Sequence, residues 1–172
     1  MDTMLKDKFA QVKLLVMDFD GVHTDGHVWT DEHGKEMVIS SRLDGMGLEM
    51  LRRLTDVKAF VISKEENPVV SMRCKKLKIP CVQGVDKGEG KLEILKRIMG
   101  ENGCVPEEAI YMGDDINDIP CIEFVGLGIA VINARPQVRA LAAYTTIAAG
   151  GNGAIREVCD MILEAKGIKI RL

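Results

Sequence analysis

The sequence predicts an α/β protein built on a doubly wound parallel sheet, and three observations lead there. Apolar runs of four to six residues recur along nearly the whole chain, segments of helical period separate them, and Gly, Asp, Ser or Pro bounds each run. Strands covered by helices on both faces read as continuous apolar runs, not alternating ones, and that is the pattern here.

The elements follow in order. Residues 12–17 form the first run, and 59–62, 79–82, 109–112 and 128–131 form the later ones, each expected as a buried strand. Leu48, Leu51 and Leu54 mark a first helix; Val69, Val70, Arg73 and Leu77 mark a second; Leu92, Leu95 and Ile98 mark a third, ended by Gly100 and Gly103. Residues 154–165 form the last. One stretch breaks the rhythm: residues 27–39 look like two short strands around an Asp31-Glu32-His33-Gly34 turn, a hairpin flap inserted after the first strand. No Pro/Ser-rich linker, internal repeat or low-complexity segment interrupts the chain, so residues 1–172 are expected as one domain. Its motifs should then meet beyond the carboxyl ends of the strands.

Composition narrows the function. The 23 Lys and Arg against 26 Asp and Glu give a net charge of −3, too balanced and slightly too acidic for a nucleic-acid binder, and seven aromatic residues leave few platforms for stacking bases. No stretch approaches 18 uninterrupted apolar residues, and Met1 to Lys6 lack the basic start and apolar run of a signal peptide. No nucleic-acid or membrane partner is therefore expected, and the location is expected to be cytoplasmic. Cys74, Cys81, Cys104, Cys121 and Cys159 stand singly, which suits reduced thiols better than a disulfide frame or a zinc site.

The chemistry lies at the strand ends. Asp18-Phe19-Asp20-Gly21-Val22-His23-Thr24 follows the first strand, and a turn at Gly21 would let Asp18 and Asp20 converge on one substrate. A second acidic cluster, Gly113-Asp114-Asp115-Ile116-Asn117-Asp118, follows another strand. Acids this close raise one another's pKa unless a cation sits between them, which points to a hard, oxygen-seeking ion such as Mg²⁺. Ser63 and Lys87 also stand at strand exits. A hydroxyl, an ammonium and a carboxylate-held metal suit phosphoryl transfer.

Asp18-x-Asp20-Gly-Val-x-Thr24, Ser63, Lys87 and Gly-Asp114-Asp115-x-x-Asp118, in that order, resemble the four motifs of the haloacid dehalogenase superfamily of phosphatases, over almost the entire chain. The resemblance implies that Asp18 is the nucleophile forming an aspartyl phosphate, and that Asp20 protonates the leaving sugar oxygen and later activates water. It implies Mg²⁺ on Asp18, the Asp20 main-chain carbonyl and Asp114, phosphate on Ser63 and Lys87, and Asp115 and Asp118 orienting the metal's surroundings and the lysine. Gly88-Glu89-Gly90 leaves the spacing ambiguous and makes Lys91 a rival; Lys87, directly after Asp86, is favoured.

Within the superfamily, Thr24-Asp25-Gly26, the flap, Asp44-Gly45-Met46-Gly47 and Gly150-Gly151-x-Gly153-Ala154-x-Arg156-Glu157 resemble the capless 3-deoxy-octulosonate 8-phosphate phosphatase group. That group includes nonulosonate 9-phosphate phosphatases and the C-terminal modules of some acylneuraminate cytidylyltransferases. It implies a small anionic sugar phosphate as substrate and a homotetramer, in which a neighbour closes the site in place of a cap.

The expected substrate-binding residues are Asp20, Ser41, Asp44, Gly45, Lys64, Glu65, Lys76 and Arg156. Ser63-Lys64-Glu65 departs from the Thr-Gly-Arg of the octulosonate enzymes. Glu65 with Lys76 resembles the acidic and basic pair of nonulosonate phosphatases, or else is a helix-start acid and a solvated lysine. Arg156 either pairs on its own helix or reaches a substrate carboxylate. His23 and His27 have the i,i+4 spacing of a metal pair, but the flanking Gly21 and Gly26 put them in a loop, which disfavours zinc. Met37, Met46 and Met50 read as core or interface packing. Two other functions stay open: a non-catalytic tetramerisation module related to the cytidylyltransferase tails, and a phospho-receiver signalling domain, whose acids and phospho-acceptor normally come in a different order.

Overall fold

A computed structural model describes residues 3–85 and 90–169. Its central sheet has six parallel strands in the order β5-β4-β1-β6-β7-β8, where β1 is Leu14–Met17, β4 Lys58–Ile62, β5 Cys81–Val82, β6 Ala109–Gly113, β7 Leu127–Ala130 and β8 Tyr144–Thr145. Every residue of β1, β6 and β7 is buried, as expected of interior strands roofed on both faces. Helices α1 (Thr3–Gln11), α2 (Arg42–Leu54), α3 (Val69–Leu77), α4 (Lys91–Glu101), α5 (Ile119–Phe124), α6 (Pro136–Leu141) and α7 (Ala154–Ala165) connect and cover the sheet. Among the described residues, no helix is long and apolar enough to cross a membrane.

The strand order places the site. The chain runs outward from β1 through β4 to β5, then returns to β6 on the other side of β1, so the direction of winding reverses between β1 and β6. A crevice opens at the carboxyl end of such a switch point. Leu14 pairs with Lys58 on one side and Ala109 on the other, and the Asp18 N–H bonds the Met112 carbonyl at 2.9 Å, so the two acidic motifs leave neighbouring strands at the same level.

The expected run at 79–82 shortens to Cys81–Val82, because Pro80 has no N–H to give to a ladder; its carbonyl still accepts from Val61. Helices α1, α5 and α6 and strand β8 add to the expected elements. Helix α1 buries only Phe9 and so carries little apolar periodicity, and α5 and α6 are one and a half turns each, opened by prolines.

The flap is present as an antiparallel pair, β2 (Trp29–Thr30) with β3 (Glu36–Met37). Asp31 makes its turn, its carboxylate accepting from His33 N at 2.9 Å and Lys35 N at 2.8 Å, with Gly34 at φ +76°. Trp29 and Met37 face each other across the pair and both project outward, Trp29 with 65% of its surface exposed.

Helix α2 packs against α7 closely enough that a Cβ at Gly47 would sit 3.0 Å from the Arg156 Cα. Asp44 joins them. Its buried carboxylate accepts from the main-chain N–H of Gly153 at 3.3 Å and of Arg156 at 2.8 Å, capping α7 from the neighbouring helix.

Candidate active site

Asp18 stands just past β1, buried, with one carboxylate oxygen accepting from Phe19 N at 2.7 Å and the other 2.8 Å from the Lys91 Nζ. Lys91, 5% exposed at the start of α4, also reaches Asp118 at 2.7 Å. The fully buried Asp118 is the pivot: it accepts from Lys91 and from the Tyr111 hydroxyl at 2.8 Å on one oxygen, and from the N–H groups of Asp114 and Asp115 at 3.1 and 3.3 Å on the other. Asp118 thereby fixes the loop that aims Asp114. A Cβ at Gly113 would collide with its side chain.

Gly21, at φ +82°, is required twice over: the left-handed backbone suits glycine, and a Cβ would overlap the Asp114 carboxylate. Thr24 closes this turn by accepting from the N–H of Gly21 and of Gly26, each at 3.2 Å. The tail motif braces the turn from behind. Gly150 packs directly on the Gly21 carbonyl, leaving no space for a Cβ, and Gly151 N donates to the Val22 carbonyl at 2.9 Å. Glu157 holds that bracing loop, accepting from Ile147 N, Ala148 N and the Tyr144 hydroxyl.

One oxygen each of Asp18, Asp114 and Asp118 lie within 4.8 Å of one another. Among the described residues, the Lys91 ammonium stands between Asp18 and Asp118, with Asp114, Asp20 and Asp115 near by. Burial, and then the charge of Asp118, pushes Asp18 well above the usual carboxylate range, against the pull of Lys91. Asp114 is pushed up to about 7 by burial and by Asp118 and Asp115. Burial works against the Lys91 charge, but Asp18 and Asp118 together hold the ammonium above its ordinary value. Such an excess of hard oxygen donors fits a small divalent cation, which would return the carboxyls to their charged forms. Asp20 is raised by burial and by Glu65 and Glu36, so it holds its proton to higher pH than a free carboxyl.

These groups line a cavity of about 260 Å³ that also takes in Ser63 and Lys64. The structure therefore brings together Asp18, Asp20, Ser63, Lys64, Asp114 and Asp115, sets Asp118 behind them, and brings Glu65 close enough to act on Asp20. Lys87 lies outside the described residues; the ammonium found between Asp18 and Asp118 is that of Lys91, the disfavoured rival. Its signal was present in the sequence. Lys91 keeps the i, i+3, i+4, i+7 spacing with Ile94, Leu95 and Ile98, all buried, so it belongs to the inward face of α4.

Several expected substrate residues have other work. Asp44 caps α7 and is not in the cavity. Ser41 caps α2 by accepting from Leu43 N at 3.0 Å, and its carbonyl holds Arg73. Gly45 lets α2 approach Leu77 of α3. Arg156 pairs through Nε with both oxygens of Asp160 at 2.8 Å, the pairing within its own helix. Lys76 is exposed on α3. His23 is buried and stacked on Phe19 with centroids 5.5 Å apart, whereas the His27 side chain is exposed beside Asp25, so the two do not form a metal pair. Met37 and Met46 are exposed and not in the core.

Comparison with known proteins agrees with this geometry. A family model described as haloacid dehalogenase-like hydrolase matches residues 53–157. The chain is 35% identical over 161 residues to the 3-deoxy-D-manno-octulosonate 8-phosphate phosphatase KdsC of Escherichia coli K12, covering 93% of this chain and 84% of that one. The Moraxella catarrhalis 3-deoxy-D-manno-octulosonate 8-phosphate phosphatase, solved with magnesium, phosphate and KDO, superposes with a TM-score of 0.91 at 33% identity, covering 97% of this chain and 94% of that one. The cobalt-bound deoxy-D-mannose-octulosonate 8-phosphate phosphatase of Haemophilus influenzae gives 0.84 at 32% identity, with 93% and 92% covered.

The chain belongs to the haloacid dehalogenase-like hydrolases, with the Rossmann-like sheet of that family. It is a phosphatase of that family, and the relatives it resembles are of the KdsC kind. Family membership sets the receiver alternative aside.

Proposed function

We propose that this protein is a Mg²⁺-dependent phosphatase acting on a phosphorylated 2-keto-3-deoxy sugar acid, with residues 1–172 forming its catalytic domain. The observation that carries this reading is the buried cluster at the switch point, where Asp18, Asp114 and Asp118 converge around the Lys91 ammonium. Asp18 attacks phosphorus while the bond from phosphorus to the sugar oxygen breaks, and Asp20 gives its proton to that oxygen. Asp20 then takes a proton from water, whose oxygen attacks the acyl phosphate and releases Asp18 and inorganic phosphate. The raised pKa of Asp20 suits both duties. Lys91, in place of Lys87, and Ser63 neutralise and orient the phosphoryl oxygens. Asp18, Asp114 and the Asp20 carbonyl would hold Mg²⁺, which would supply the remaining charge compensation when bound.

The named relatives support 3-deoxy-octulosonate 8-phosphate as the substrate. Glu65, near Asp20 where octulosonate enzymes carry arginine, supports a nonulosonate 9-phosphate as the second reading. A homotetramer belongs to the same proposal, because the flap carries the exposed Trp29 and Met37, an apolar pair suited to burial against a neighbour. The test is phosphate release from the two sugar-acid phosphates with and without Mg²⁺. Asp18→Asn should lose at least about 10³-fold in kcat with its circular-dichroism spectrum retained, and chelation should silence the wild type. Undiminished turnover in Asp18→Asn overturns the mechanism, and full turnover in chelator overturns the metal. An inert wild type with a well-formed tetramer would favour the non-catalytic module.

A further inference from the structure

The inner cavity, about 260 Å³, falls below the roughly 300–1,000 Å³ of pockets that enclose whole ligands, so it takes the reacting group and little else. It opens into an outer groove of about 920 Å³. Lys64, Asp115 and Asn117 line both, so the two adjoin, and Arg135 lines the outer part alone. That groove offers space for the rest of a substrate whose phosphoryl group sits on Asp18.

Arg135 is placed with precision by its main chain. It follows β7, its N–H donates to the Asp114 carbonyl at 2.8 Å, and Pro136 behind it holds it extended at φ −55°, ψ 143° and starts α6. The residue that carries the guanidinium is thus hydrogen-bonded to a member of the acidic cluster itself. Its side chain is 69% exposed and only loosely tethered, with Nε 3.8 Å from an Asp115 oxygen that already accepts from Ile116 N at 2.7 Å. The fork is left to the groove. Arg156, which the sequence offered for a carboxylate, is already engaged by Asp160.

We propose that Arg135 is a specificity-determining residue that binds the carboxylate of the substrate in the outer groove, with Lys64 adding positive potential between the carboxylate and the phosphoryl group. The assignment rests on the sugar-acid reading of the function. A planar guanidinium matches a carboxylate with two parallel N–H bonds, a match that lysine does not reproduce.

The test compares two substrates in wild type, Arg135→Gln and Arg135→Lys: 3-deoxy-octulosonate 8-phosphate, which carries a carboxylate, and p-nitrophenyl phosphate, which does not. The readout is the ratio of their kcat/KM values. Arg135→Gln should lower that ratio about 10- to 100-fold, chiefly through KM for the acid, and Arg135→Lys should recover part of it. A wild-type preference for the acid that survives intact in Arg135→Gln, or an equal loss on both substrates, overturns the subsite alone. A wild type with no preference for the acid overturns the sugar-acid reading and the subsite with it.

Discussion

Lys91 holds the largest electrostatic responsibility of any residue here. It is a buried ammonium at the wall of the active-site cavity, bonded to two buried carboxylates, one of which is the proposed nucleophile. Removing one partner of such a pair leaves charges that nothing compensates, at a cost of about 3–5 kcal/mol. Lys91→Met should therefore unfold at lower denaturant in metal-free buffer at pH 7.5. Burial already holds the Asp18 carboxyl above its unfolded value, and the variant removes the lysine that draws it down, leaving buried carboxylates uncompensated. The deficit is then present above the ordinary carboxylate pKa and shrinks as acid protonates them. A denaturation series from pH 7.5 to 5 reads this directly, and a variant as stable as the wild type at pH 7.5 would remove Lys91 from the role. Gly21, Gly113 and Gly150 act at the same scale by leaving no side chain where Asp114, Asp118 and a carbonyl must pass.

Among the elements, the α2–α7 pair explains the tail motif. Its glycines, Glu157 and the Asp44 cap act together to press the 146–153 loop against the turn that follows β1. Asp44 resembles a substrate ligand when read in sequence, yet its carboxylate spends both oxygens on the first turn of a helix more than a hundred positions later. Asp44→Ala should cost about 2 kcal/mol, in the upper range for a lost helix cap, and lower the melting temperature by roughly 4–8 °C. KM should stay near the wild-type value. A raised KM with an unchanged melting temperature would return Asp44 to the substrate site. The strands show the opposite relation between sequence and structure: β1, β4, β6 and β7 form within two residues of where their apolar runs stand, since burial on both faces writes itself into composition.

For the whole molecule, His23 contributes a loss of stability in mild acid, opposite in sign to the metal-free site carboxyls, whose raised pKa values favour the folded state as pH falls. His23 is enclosed with neither ring nitrogen bonded, and burial, aided by the Arg73 charge, takes its pKa down to about 3. The unfolded chain binds a proton there near pH 6.5 and the folded chain does not, so the His23 contribution to stability declines as pH drops through 6.5 and continues to decline toward 3. Between pH 7.5 and 5.5 the loss is roughly 1 kcal/mol. His23→Phe, which keeps the stack on Phe19, should remove that contribution, so the variant gains about 1 kcal/mol on the wild type between pH 7.5 and 5.5; a stability difference that does not change with pH would place the effect elsewhere.

The sequence by itself determined the layered α/β architecture, the flap, the last helix and the two acidic motifs at strand ends, because each is written in residues close together along the chain. Tertiary structure alone decided that Asp44 and Arg156 serve α7 and that Arg135 rather than Arg156 lines the groove, whereas Lys91 carries its signal in the apolar periodicity of α4. Hydrophobic periodicity is local, since it reports only which face of an element meets the core. Charged groups choose partners by distance in space, and the winding that brings β6 beside β1 sets those distances.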